Sequence, residues 1–150
     1  KGGQAVAEVL FGDPNPSGSK SWLVKNTGTL QGRLSLATAG LASLENGCNG
    51  QEAPVDTTCG NPGAGEGELG AVIRARISVN DREAALWTKA FTDKDTLAAV
   101  WKNVPPVILS GGGTAKLTLD WEIRPEDYGN EIQSDSLEFN VTVNLEQTGK

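Results

Sequence analysis

Residues 137–145 alternate without a break, with Leu137, Phe139, Val141, Val143 and Leu145 on one side and Glu138, Asn140, Thr142 and Asn144 on the other. Successive side chains of an extended strand point to opposite faces, so the pattern predicts a strand with one buried face. A slip of one residue would move every apolar side chain into water, which fixes the register. Upstream, 116–123 repeats the arrangement, with Leu117, Leu119, Trp121 and Ile123 inward and Lys116, Thr118, Asp120 and Glu122 outward. Two half-buried strands of this strength predict an all-β chain. Between them, Pro125-Glu126-Asp127-Tyr128-Gly129-Asn130 is rich in turn formers and long enough for a hairpin or for a crossover between two sheets. The alternation leaves both open.

The stretch 2–12 has a different pattern: Ala5, Ala7, Val9 and Phe11 share one face, Val6 and Leu10 stand on the other, and only Glu8 interrupts. A strand apolar on both faces needs cover on both, as a central or inserted strand has. Asp13-Pro14-Asn15-Pro16-Ser17-Gly18-Ser19 reads as a turn, because Pro and Gly oppose ladder pairing. Strands are predicted at 21–25, with Trp22 and Val24 on one face, and at 30–36, with Leu30, Leu34 and Leu36 inward. The tight turn Asn26-Thr27-Gly28-Thr29 joins them. From 38 to 68 Gly, Asn, Pro, Thr and Glu dominate, which predicts a long surface loop.

The pattern at 69–79 returns to a strand with Ala71, Ile73, Ala75, Ile77 and Val79 on one face, turned back at 80–83 onto a weaker strand at 84–91. Thr92-Asp93-Lys94-Asp95 resembles a capping box, and Leu97, Val100, Trp101 and Val104 follow at helical spacing until Pro105-Pro106. One short helix, 94–103, is expected to close an open end of a sandwich. The triple glycine at 111–113 lacks the Lys-Ser/Thr of a phosphate-binding loop and precedes a strand, so it reads as a turn.

With 150 residues the chain has the length of one domain. Its net charge of −6 and the absence of a Lys/Arg cluster argue against nucleic acid as a partner. No apolar run approaches the roughly 18 residues of a membrane span. No charged-then-apolar leader stands at the start, so a signal peptide is expected to have been removed or never to have been present. Cys48 and Cys59 lie in loop sequence, without histidine to complete a zinc site and outside a Cys-x-x-Cys motif. A disulfide is therefore predicted, implying an oxidising, extracytoplasmic location.

The chain has no histidine, which removes the commonest general base and the His-containing triads. Asp120 and Glu122 share the outward face of one strand and are read as solvated charges rather than a glycosidase pair. Asp13, Asp127 and Asp135 stand as single turn acids without the dense oxygen-ligand spacing of a calcium loop. No enzyme activity, cofactor or metal is expected. Trp87 and Trp101 could serve a carbohydrate-binding face, but core packing explains them better. Asn140-Val141-Thr142 matches a glycosylation sequon with the Asn on the outward face.

Two blocks carry a resemblance. Lys25-Asn26-Thr27-Gly28-Thr29-Leu30-Gln31-Gly32-Arg33-Leu34, preceded by Pro16-Ser17-Gly18-Ser19, is similar to a strand-turn-strand element of the TasA/camelysin family. Asp120-Trp121-Glu122-Ile123, then Gly129-Asn130-Glu131-Ile132-Gln133-Ser134-Asp135-Ser136, then the strand ending Leu145-Glu146-Gln147, looks like that family's closing pair of strands. The resemblance implies a secreted jelly-roll β-sandwich, a subunit of biofilm fibres and bundling pili in which a terminal strand completes the sheet of the next subunit. Two departures stand out: only residues 1–10 precede the matching part, where the family has a further strand region with a Phe-Ser-Asp element, and the cysteine-closed loop is unusual. Part of the family is metallopeptidase-like, an activity the lack of histidine argues against; the alternatives to a fibre subunit are a secreted camelysin-like hydrolase using acids such as Asp120 and Glu122, and a monomeric adhesin or carbohydrate-binding β-sandwich.

The combined expectation is a donor strand at 1–12 and a sandwich domain at 13–150. Ala5, Val6, Ala7, Val9, Leu10 and Phe11 are expected to insert into the next identical subunit rather than pair mainly within their own. Head-to-tail addition of this kind does not close, which makes an extracellular homopolymer with no membrane or nucleic-acid partner.

Overall fold

Strand β9 (Ser136–Gln147) is the spine of one sheet, lying between β1 (Gly3–Leu10) and β3 (Gly32–Glu45). The computed structural model describes residues 3–10, 17–83, 86–89, 91–92 and 95–148, and only the main chain of 3–10 and of Glu83. The far edge of β3 carries β7 (Ile108–Leu109) at its start and β4 (Gly63–Ala64) at its end. A second sheet has the order β2-β8-β5-β6, built from Ser17–Lys25, Thr114–Glu122, Arg74–Val79 and Arg82–Glu83. Every pairing among the described residues is antiparallel. The chain is all-β, as its alternation predicts.

One core fills the space between the sheets. Leu34, Leu36, Leu137, Phe139 and Val141 enter it from one side and Ala75, Ile77, Leu117 and Leu119 from the other, all buried. These are the inward residues of the alternating runs, and their burial is what excludes a register slip. Pro125–Asp127 and Asn130–Ile132 form two short 3-10 turns on the connection from β8 to β9, which runs from one sheet to the other. Of the two possibilities for that connection, the crossover is the one adopted.

Several boundaries differ from the expectation for physical reasons. Strand β2 starts at Ser17, inside the expected turn, because Gly18 takes the place against the Trp121 ring where a Cβ would lie 2.2 Å from ring carbon. A glycine in a strand often marks such close approach. Strand β3 runs on to Glu45, so the loop is shorter than 38–68; a bulge between Ala39 and Ala42, with Gly40 at φ 62°, ends the alternation that made the first half readable. Leu30, expected inward, is 47% exposed in the turn before β3.

Residues 69–72 form a single helical turn, α1 (Leu69–Val72), rather than the start of a strand, and Ala71 is exposed. Asn80 and Asp81 both have positive φ, 52° and 61°, between paired Val79 and Arg82, the two-residue turn whose twist suits a hairpin. Within the weaker strand expected at 84–91, the described residues show a bridge between Ala75 and Thr88, while β6 falls in the expected turn and 84, 85 and 90 lie outside the described residues.

The helix α2 spans Thr96–Trp101, shorter than 94–103, and Asp95 makes no capping bond to it. Its first turn is capped from another element: Thr38 Oγ1 in β3 accepts from Leu97 N at 2.7 Å, while Asp95 Oδ1 accepts from Thr38 N at 3.1 Å. The reciprocal pair satisfies an orphan helix donor that the expected capping box would have served. Of that box, Asp93 and Lys94 lie outside the described residues.

Asn26, at the start of the expected tight turn, is 3% exposed and ties two turns together. Its Nδ2 lies 2.8 Å from Leu30 O, 3.1 Å from Ser110 O and 3.2 Å from Leu109 O, and its Oδ1 accepts from Gly28 N at 3.0 Å. Its main chain accepts from Gly112 N and donates to Gly113 O, so the triple glycine is a turn locked onto Asn26.

Candidate functional site: the outer edge of β9 and a buried carboxylate cluster

Strand β9 has two edges. The inner one pairs with β3, from Gly32 opposite Gln147 to Leu44 opposite Ser136. The outer one takes β1 along its whole length, from Gly3 opposite Val143 to Leu10 opposite Ser136. In the single chain the N-terminal strand therefore lies in its own sheet, where the sequence pattern points to a neighbour's. Among the described residues its hydrogen-bonded neighbour there is β9 alone, and β1 ends the sheet. Ala5, Val6, Ala7, Val9 and Leu10 fall opposite Val141, Asn140, Phe139, Leu137 and Ser136; Phe11 and the Asp13–Pro16 hinge lie outside the described residues. Asn140 is half-buried on the outward face, between Val6 and Ala39 in the register.

At the Ser136 end of this edge the structure gathers acids that are scattered in the sequence. Asp135 immediately precedes β9 and is 1% exposed, Glu45 ends β3 at 2%, and Glu52 and Asp56 come from the loop between β3 and β4. Asp135 is thus not a solitary turn acid. Oxygens of Glu45, Glu68 and Asp135 lie within 4.8 Å of one another, and so do oxygens of Glu45, Glu52 and Asp56. The cluster is missed from sequence because its members sit at 45, 52, 56, 68 and 135, a spacing that no local pattern contains.

Each carboxylate is held by donors. Asp135 Oδ2 accepts from Glu68 N and from Leu69 N (2.7 Å), at the start of α1. Glu45 Oε1 accepts from Gly47 N, Asp56 Oδ1 from Thr58 N, and Glu52 Oε2 from Asn49 N. Ser134 N donates to Glu52 Oε1. Burial, with Glu45 and Glu68 beside it, pushes the Asp135 carboxyl up to about 7 against the pull of those two N–H groups. Burial and the Asp56 and Glu45 carboxylates raise Glu68 as well, whereas the Thr58 hydroxyl and N–H hold Asp56 below its ordinary value.

Cys48 and Cys59 are bonded, as predicted, and Cys59 is 2% exposed. Closing a loop of this length contributes about 3 kcal/mol by chain entropy. Reduction is expected to raise amide hydrogen exchange within residues 46–62 while β3, β8 and β9 keep their protection. Loss of protection across those strands on reduction would show that the bond supports the sandwich itself.

The other candidate residues have partners of their own. Arg76 lies opposite Asp120 and Arg74 opposite Glu122 across β5 and β8, with ion pairs of 3.2 and 3.8 Å. Ser19 Oγ donates to Asp120 at 2.8 Å, and the Arg76 guanidinium stacks over Trp87 at 4.7 Å. This is a charge ladder across the outer face of the second sheet. Trp101 packs partly buried against the core. A groove of about 680 Å³ lies along β3 between Thr38 and Ser43, lined also by Gly67, Gly70 and Phe91. Its lining among the described residues carries no titratable group. No protein-family model, curated protein or solved structure matches the chain.

Proposed function

We propose that the chain is a structural subunit of an extracellular filament, a biofilm matrix fibre or bundling pilus of the jelly-roll kind, polymerising by exchange of its N-terminal strand. The observation that carries the reading is the place of β1: among the described residues it is an edge strand whose one ladder partner is β9. A strand attached by one edge can leave without breaking the rest of its sheet, and the vacated edge of β9 then accepts the same strand from an identical chain in the same register. The two-sided apolar pattern of Ala5, Val6, Ala7, Val9 and Leu10 makes such a strand a liability unless covered. Pro14 and Pro16 stiffen the exit and disfavour a tight return onto β2. The disulfide suits an oxidising, extracellular setting, and the resemblance of the two sequence blocks to the TasA/camelysin family points the same way.

The test uses a cysteine pair at Val6 and Asn140, which are partners in the register. With Val6→Cys and Asn140→Cys, oxidation of assembled material is expected to give a ladder of covalent multimers on a non-reducing denaturing gel. A single band of internally bonded monomer from filaments would refute exchange. Material that stays monomeric at every concentration would refute the filament itself.

A further inference from the structure

The loop closed by Cys48 and Cys59 has its polarity inverted. Glu52 and Asp56 are buried, while Val55 between them is 55% exposed. Val55 N and Asp56 N both donate to Glu52 O, a helical turn that sets the two acids, four residues apart, on one side. Burying carboxylates while exposing a valine is costly unless something inside compensates the charge. Among the described residues no ion pair reaches Glu45, Glu52, Asp56, Glu68 or Asp135.

A second, independent observation is the set of oxygens left over. Glu45 Oε2, Asp56 Oδ2, Glu68 Oε2 and Asp135 Oδ1 are buried without any hydrogen-bond partner, and Glu45, Asp56 and Asp135 are 2%, 8% and 1% exposed. Orphaned buried oxygens are rare, and each calls for an explanation. Here one oxygen of each carboxylate is anchored by N–H or hydroxyl donors, and the other is free. The oxygens of each trio lie within 4.8 Å of one another, close enough for one ion held at roughly 2.3–2.6 Å to reach all three.

We propose that this cluster binds one calcium ion through Glu45, Glu68 and Asp135, the trio in which every member leaves a buried oxygen unpartnered. An all-oxygen, all-carboxylate set selects a hard cation; zinc is disfavoured because the chain has no histidine and both cysteines are bonded to each other. Magnesium is smaller, demands near-octahedral geometry and keeps its waters, which suits it poorly to so many carboxylates from separate segments. The ion ties the end of β3 and the start of α1 to the residue before β9, and Glu45 in turn lies beside Glu52 and Asp56 of the disulfide loop. This goes beyond the filament reading and is tested on the soluble chain alone.

Calcium chloride is titrated into the chelator-treated full chain, followed by calorimetry and by thermal unfolding. One site per chain is expected, with a melting temperature that climbs with calcium and responds less to equal magnesium. Glu45→Gln and Asp135→Asn weaken binding at least about tenfold, and Asp120→Asn, on the outer charge ladder, leaves it unchanged. Should Glu45→Gln fail to fold, Glu68→Gln, at the less buried side of the cluster, gives the same loss. A folded wild-type chain with no heat and no thermal shift up to about 10 mM calcium, well above the weakest extracellular calcium sites, overturns the proposal. Binding unchanged in Glu68→Gln overturns it too, and magnesium acting as strongly as calcium overturns the choice of ion.

Discussion

A chain lacking residues 1–12 is expected to form no filaments, and a synthetic peptide of residues 2–12 is expected to bind it and restore its stability without restoring polymers. Deletion uncovers the outer edge of β9 from Ser136 to Val143, where β1 supplies the ladder partners. Each lost main-chain bond contributes about 0.5–1.5 kcal/mol, and losing the run together leaves the variant a soluble or weakly folded monomer. The peptide replaces the ladder but carries no sandwich of its own, so growth stops after one addition. Electron microscopy of the variant, with and without peptide, reads the result. Filaments assembling normally from the deletion variant would sink strand exchange.

Phe139→Ala is expected to destabilise the fold by about 3–5 kcal/mol, a large fraction of the roughly 5–15 kcal/mol of a typical domain. Phe139 is 3% exposed in the middle of β9, and its ring meets Phe91 with centroids 5.5 Å apart at a tilted angle. It also faces the stretch of β3 where the bulge between Ala39 and Ala42 breaks the pairing, so the surrounding backbone cannot simply close over the void. Phe139→Leu keeps most of the volume and costs less, about 1 kcal/mol. Leu23→Ala serves as the contrast: that side chain is 77% exposed, and its loss stays within about 0.5 kcal/mol. Urea unfolding should show the midpoint falling for Phe139→Ala with an unchanged slope. A change below about 1 kcal/mol would mean that the core around β9 is not packed as described.

What could be read from sequence was what burial on one face enforces. The runs through Leu117 and Leu119 and through Leu137, Phe139 and Val141 became β8 and β9 with their predicted inward residues, because alternation leaves a single register that keeps them dry. Where side chains are small the same rule has nothing to act on. Ala37, Ala39 and Gly40 gave no alternation, and β3 continued through them on main-chain pairing to β9. Leu69 to Val72 was read as the start of the alternating run that continues to Val79, whereas it forms a helical turn at whose start Asp135 holds the N–H groups of Glu68 and Leu69. The carboxylate cluster was out of reach for a different cause, since its members meet only after β3, the loop and the crossover to β9 have all been placed.

The pairing of β1 with β9 joins the first of the described strands to the last, with the other strands of both sheets between them in sequence. Closing so long a loop carries an entropy cost that grows with the logarithm of its length, and contacts of that span form late in folding. Under the strand exchange proposed above, late closure leaves β1 open to capture by a second chain, so dilution is expected to favour internal pairing and concentration to favour assembly.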